Sequence, residues 1–192
     1  MSLENIYMVD ISLDKIWHEI ASTSTPLAHK LKFEISHKWL RFHSLPHSKR
    51  YPENKLELQS IIERHNQVLS SVFHQDEPLF ILMTEWSNLD KTERKVVDWI
   101  HWQSGKSDPN DDESGFWHIY WKPEIWKPGL LDDVMANAAN EILSNHMTIG
   151  ISSKVIYHPY DGGMDLVFAD QARMISIKEK FHGYLSKHPE GL

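Results

Sequence analysis

The clearest periodicity in the chain runs from Pro52 to Phe73, where Leu58, Ile61, Ile62, His65, Val68, Leu69, Val72 and Phe73 recur at the i, i+3, i+4, i+7 spacing of one buried helix stripe. Pro52 suits the first turn of that helix. A shorter stripe of Leu13, Ile16, Trp17 and Ile20 predicts a helix from Leu13 to Ala21, capped by Ser12. Two more helices follow from the same spacing: Gly129–Ser144 through Leu131, Val134, Met135, Ala138 and Ile142, and Gln171–Leu185, capped by Asp170, through Met174, Ile177 and Phe181. Strands announce themselves differently. Leu31–Ile35 and Trp39–Leu45 alternate apolar and polar residues, and Pro46 ends the second because it has no N–H to donate. Leu79–Met83 is a short continuous apolar run, the pattern of a buried central strand, and Phe116–Trp121 alternates again. Ser153–His158 and Met164–Phe168 flank a turn and predict a hairpin. Glu93–Trp102 fits a helix or a strand equally, and residues 104–115 read as an acidic surface loop.

Hairpins at both ends with helices between them imply antiparallel neighbours. The expected fold is therefore α+β, a mostly antiparallel or mixed sheet of about five to six strands covered by about three to four helices. No repeat or linker separates two cores, so residues 1–192 are expected to form a single domain.

Composition narrows the function classes. With 41% hydrophobic and 24% charged residues the chain has an ordinary globular balance, and its 8 Trp must line a core, a groove or a partner surface. No run approaches the ~20 apolar residues of a membrane span, and Met1–Ile11 lacks the basic and apolar regions of a signal peptide. A cytoplasmic location is expected, and the absence of Cys excludes disulfides and thiolate metal sites. Net charge is −7, yet Lys30, Lys32, Lys38, Arg41, Lys49, Arg50 and Lys55 crowd one window with only Glu34 and Glu53 against them. A basic patch in an acidic body argues against nucleic acid as a partner and permits a local anion site. Asp108, Asp111, Asp112 and Glu113, near several Trp, would suit a basic protein partner.

Two segments stand out as motifs. One is Trp39-Leu40-Arg41-Phe42-His43-Ser44-Leu45-Pro46-His47-Ser48-Lys49-Arg50-Tyr51, followed by Arg64-His65-Asn66; the other is Tyr157-His158-Pro159-Tyr160-Asp161-Gly162-Gly163-Met164-Asp165, followed by Ser186–Leu192. Together, with Trp126-Lys127-Pro128-Gly129 between them, they resemble an uncharacterised bacterial family of the domain-of-unknown-function kind. The resemblance implies no activity and no catalytic residues. It does imply that the tail Ser186–Leu192 belongs to the protein and packs on its body.

Three chemistries are open to these residues. Arg41, His43, Ser48, Lys49 and Arg50 could grip a small anion ahead of a helix N-terminus, unless the cations are paired with carboxylates such as Glu34 or Glu57. In the second motif Asp161, Gly162 and Gly163 are what a turn with positive φ asks for, which leaves His158, Tyr160 and Asp165 as candidates for proton handling or hydrogen bonding. Metal binding by His43, His47 and His158 would need the two motifs to meet, and the His spacing matches no metal motif, so no metal or other cofactor is expected. With no nucleophile–base pair or phosphate loop recognisable, a non-catalytic binding or regulatory protein engaging a protein partner is the first reading. A small-anion-binding protein or enzyme, with its site between the two motifs, is the alternative, and the geometry that separates them is whether Arg41, His43, His158 and Asp165 share one concave surface.

Overall fold

A computed structural model describes residues 12–90, 97–111 and 114–185. Among them five α-helices, α1 (Leu13–Ala21), α2 (Ala28–Glu34), α3 (Lys55–Val72), α4 (Asp132–Ala139) and α5 (Gln171–Lys180), enclose a sheet of seven strands. The strands are β1 (Trp39–His43), β2 (Pro78–Ser87), β3 (Ile100–Lys106), β4 (Phe116–Ile125), β5 (Met147–Gly150), β6 (Val155–Tyr160) and β7 (Gly163–Phe168), and they lie in the order β1-β7-β6-β5-β2-β4-β3. Every neighbouring pair is antiparallel. The α+β class thus holds, with one strand and one helix more than the upper expectations. No helix among the described residues is long and apolar enough to cross a membrane.

The two faces of the sheet are covered by different helices. Helices α1 and α2 pack Leu13, Ile16, Trp17, Ile20 and Leu31 against Phe80, Leu82, Ile149, Ile156 and Val167. On the other face α3, α4 and α5 pack Val68, Leu69, Val72, Met135 and Ile177 against Phe42, Leu79, Ile81, Tyr157 and Leu166. Strand alternation sends successive residues to opposite cores, so β1 puts Leu40 and Phe42 toward α3 and turns Trp39, Arg41 and His43 the other way.

Three expectations need correction. The alternation in Leu31–Ile35 belongs to helix α2, not to a strand: Leu27, Leu31 and Ile35 recur every four residues and are buried, while Phe33, which a strand would place beside them, is 75% exposed. Five residues are too few to separate the two periods. Helix α4 is shorter than Gly129–Ser144, because Glu141 takes φ 57° and Asn145 φ 55°, and the chain then enters the unforeseen strand β5, whose four residues are all buried. Residues Ser104–Lys106 belong to β3, which narrows the acidic loop, whose Asp112 and Glu113 lie outside the described residues, as does much of Glu93–Trp102.

Of the three strand prolines, Pro78 is the first residue of β2 and the other two sit where a ladder has ended. Pro123 lies past Trp121, where pairing to β3 ends, and Pro159 lies past Tyr157, where pairing to β5 ends, so each strand there has one neighbour only.

Candidate functional site

The sheet brings the two sequence motifs together, because β1 pairs with β7 and not with a neighbour in the chain. Arg41 stands opposite Asp165, and Asp165 stands opposite His158, so the three form a row across β1, β7 and β6 on the α1/α2 face. Arg41 donates from Nε to Asp165 Oδ1 at 2.7 Å and from Nη2 to Oδ2 at 2.8 Å, a two-pronged pair that fixes both side chains. Its guanidinium lies 4.3 Å from the centre of the Tyr160 ring and 5.1 Å from that of Trp39. Burial alone would weaken the arginine's hold on its proton, but the Asp165 carboxylate outweighs it and raises the Arg41 pKa.

Burial acts the other way on the imidazoles. His158 is held below its ordinary value by burial, against the pull of Asp165. Its Nδ1 lies 2.8 Å from the His146 carbonyl oxygen, which can only accept, so Nδ1 carries the proton and Nε2 of the neutral ring is a free acceptor. His43 is lowered by burial and by the Arg41 charge, and His29 by burial and by Lys30. Tyr160 is pushed upward, chiefly by burial, and stays a hydroxyl.

His158 and Tyr160 open onto a cavity of about 410 Å³ walled also by His29, Asn145, Asp161 and Glu141. Asp161 receives an ion pair from Arg50, and Glu141 accepts from the Tyr51 hydroxyl at 3.2 Å. Among the described residues no group of three His, Asp or Glu is arranged to hold a metal.

The sequence candidates therefore divide. Arg41, His43, Arg50, His158, Tyr160, Asp161 and Asp165 gather around one end of β1, β7 and β6. Lys49 turns away to Glu57 at 2.7 Å and Glu53 at 3.1 Å, and Ser48 is exposed with φ 57°. The helix N-terminus they precede is already occupied: Asn54 accepts from the Glu57 amide, and the Glu57 carboxylate accepts from the Glu53 amide.

The hairpin turn also differs from its expected form. None of Asp161, Gly162 and Gly163 takes a positive φ. Gly163 is glycine for space: a Cβ there would sit 2.0 Å from the Phe42 carbonyl oxygen, so the small residue lets β1 close against β7.

One polar cluster went unforeseen. Behind the row, on the α3 face, His65 sits between Ser44 Oγ, 2.7 Å from Nε2, and the Tyr157 hydroxyl, 2.7 Å from Nδ1, all three fully buried. Its signal was legible: His65 is the polar residue inside the apolar stripe of α3. Burial lowers its pKa to about 3, so the ring is neutral and rigidly held.

The fold and the site thus define an α+β protein with a single antiparallel sheet and a polar cavity beside the end of β6, walled by the α4–β5 loop and by His29 of α2. The chain belongs to the family described as Domain of unknown function (DUF3885), whose model matches residues 27–189. That span holds both motifs except the end of the tail; Ser186–Leu192 lies outside the described residues, and with it the expectation that it packs on the body. No curated protein and no solved structure matches the chain.

Proposed function

We propose that the protein binds a small polar molecule in the cavity beside the Arg41–Asp165–His158 row. The observation that carries this is the cavity wall, which holds His158, Tyr160 and Asp161 of the second motif, with Asp161 paired to Arg50 of the first; Arg41, His43 and Asp165 do not line it. Charge argues for an uncharged or cationic ligand over the anion first considered. Arg41, Lys49 and Arg50 are each matched by a carboxylate, while Asp161 and Glu141 line the cavity and its histidines are neutral. A donor-rich molecule, a polyol or an amine, meets acceptors on most sides. The docking of a basic protein on the acidic loop has weaker support, because Asp108 directs its carboxylate to the Asn110 amide at 2.9 Å and its carbonyl to Ser114.

A thermal-shift screen of polyols, amines, carboxylates and phosphates tests the proposal. Stabilisation is expected from a polyol or an amine, lost in His158→Gln and Tyr160→Phe and kept in Lys49→Ala. Stabilisation by a phosphate or carboxylate that vanishes in Lys49→Ala would refute it.

A further inference from the structure

At the far edge of the sheet, on the face opposite Arg41, lies a second constellation built from different chemistry. Ser104 of β3 stands opposite His118 of β4, with its Oγ 2.6 Å from His118 Nδ1. His118 is 1% exposed, and its Nε2 lies 3.0 Å from the Leu89 carbonyl oxygen. His101 Nε2 approaches the same serine oxygen at 2.8 Å.

Proton positions follow from what each atom can do. The Leu89 carbonyl only accepts, so His118 Nε2 must carry the proton and Nδ1 of the neutral ring must accept. The Ser104 hydroxyl therefore donates to His118 and is left to accept from His101. A serine, a base and a group that fixes the base's tautomer are the parts of an activated nucleophile. Burial and the neighbouring His118 hold the His101 pKa below its ordinary value, which keeps that ring neutral as well.

The backbone is shaped to make this cluster. His101 and Ser104 are three apart and would face opposite sides of a regular strand; a register shift between His101 and Gln103 leaves Trp102 as the extra residue and turns both toward His118. Trp102 is itself anchored, its indole N–H donating to Asp14 at 2.9 Å and its ring meeting Trp17 edge-on at 5.6 Å. On the other side of the serine, Gly105 has no Cβ because one would stand 2.4 Å from the Trp117 ring. Ser104 is thus an exposed hydroxyl held between two fixed backbone positions.

We propose that Ser104 is a nucleophile, with His118 as its general base and His101 as a positioning residue, and that it undergoes acyl transfer from activated esters. Ser104 Oγ would bond to the ester carbonyl carbon as its proton passes to His118 Nδ1. The tetrahedral adduct then breaks its bond to the alcohol oxygen, which takes that proton from His118. Water attacks the acyl-serine by the same route, releasing the carboxylic acid and restoring the hydroxyl.

A fluorophosphonate probe on the full chain reads the nucleophile directly. One adduct, mapped by mass spectrometry to Ser104, is expected; it should be absent in Ser104→Ala and form at least ~100-fold more slowly in His118→Asn, the scale of a lost general base. His101→Ala should slow labelling by less than ~10-fold, and His101→Gln, whose amide can still donate to the serine oxygen, should restore the rate. Adducts spread over surface serines, or an unchanged rate in His118→Asn, would overturn the proposal. Should that variant fail to fold, His118→Gln decides: a loss of at least ~100-fold in the labelling rate supports the proposal, and the wild-type rate refutes it. Labelling unchanged in His158→Gln separates this site from the cavity at β6.

Discussion

Two polar clusters sit back to back on strands β1, β7 and β6, and they differ in what closes them off. The Arg41–Asp165–His158 row carries an ion pair and reaches a cavity through His158. The Ser44–His65–Tyr157 cluster carries none and is sealed under α3. Neighbouring residues along one strand, Tyr157 and His158, serve one cluster each. The lesson is that access, more than residue type, separates a structural polar group from a candidate site: both regions contain a histidine and a tyrosine, yet only His158 and Tyr160 line a cavity.

The largest expected effect comes from the charged side. Asp165→Ala leaves Arg41 buried without its partner and should cost about 3–5 kcal/mol in urea unfolding. A loss under ~1 kcal/mol, the range of exposed pairs, would erase the distinction between this row and a surface ion pair. Next, His65→Ala strands the Ser44 and Tyr157 hydroxyls and should cost about 2–3 kcal/mol, read by the same melts, with no effect on ligand-induced stabilisation. A change in ligand response would mean that the sealed cluster and the cavity are coupled.

Acid should sharpen the contrast further. His65 is near 3 in the fold and close to ~6.5 unfolded, so the unfolded chain binds the extra proton and stability falls as pH drops through that window. Between pH 7 and pH 5 this histidine alone accounts for a loss of about 2 kcal/mol. His146, also near 3, adds in the same direction. The penalty of His65→Ala should accordingly shrink at pH 5, and a constant penalty would show the ring is not held neutral. Smallest of all, Arg50→Ala removes an exposed cation and should leave the thermal midpoint within experimental error.

Helices α1, α3 and α5 were legible from their stripes, and the caps Ser12 and Asp170 marked two of the starts; α3 begins at Lys55, capped by Asn54, and not at Pro52 as expected. Strand β5 was not, since four buried residues carry no period, and α2 imitated a strand over five. The site was half legible. Its residue types stood out in both motifs, but the pairing of β1 with β7 is a matter of sheet order, which no local pattern encodes. For the same reason Arg41 was expected to find Glu34 or Glu57, and found Asp165. The serine at β3 was hidden by a bulge, which shifts which residues share a face and leaves the composition of the segment looking like a loop.

Placing the first strand beside the last sets a schedule for the chain as it is made. Arg41 and Asp165 are separated by 124 positions, so at the ~5–20 residues per second of synthesis β1 waits on the order of 6–25 s before its partner exists. Through that interval Leu40 and Phe42 belong to an unpaired apolar strand, open to the wrong edge of another chain. The Arg41 and His43 that alternate with them keep one side of the strand polar while it waits, the role of a gatekeeper. The arginine that ends in the row beside the cavity thus serves first on the nascent strand, as a charge against mispairing until β7 arrives.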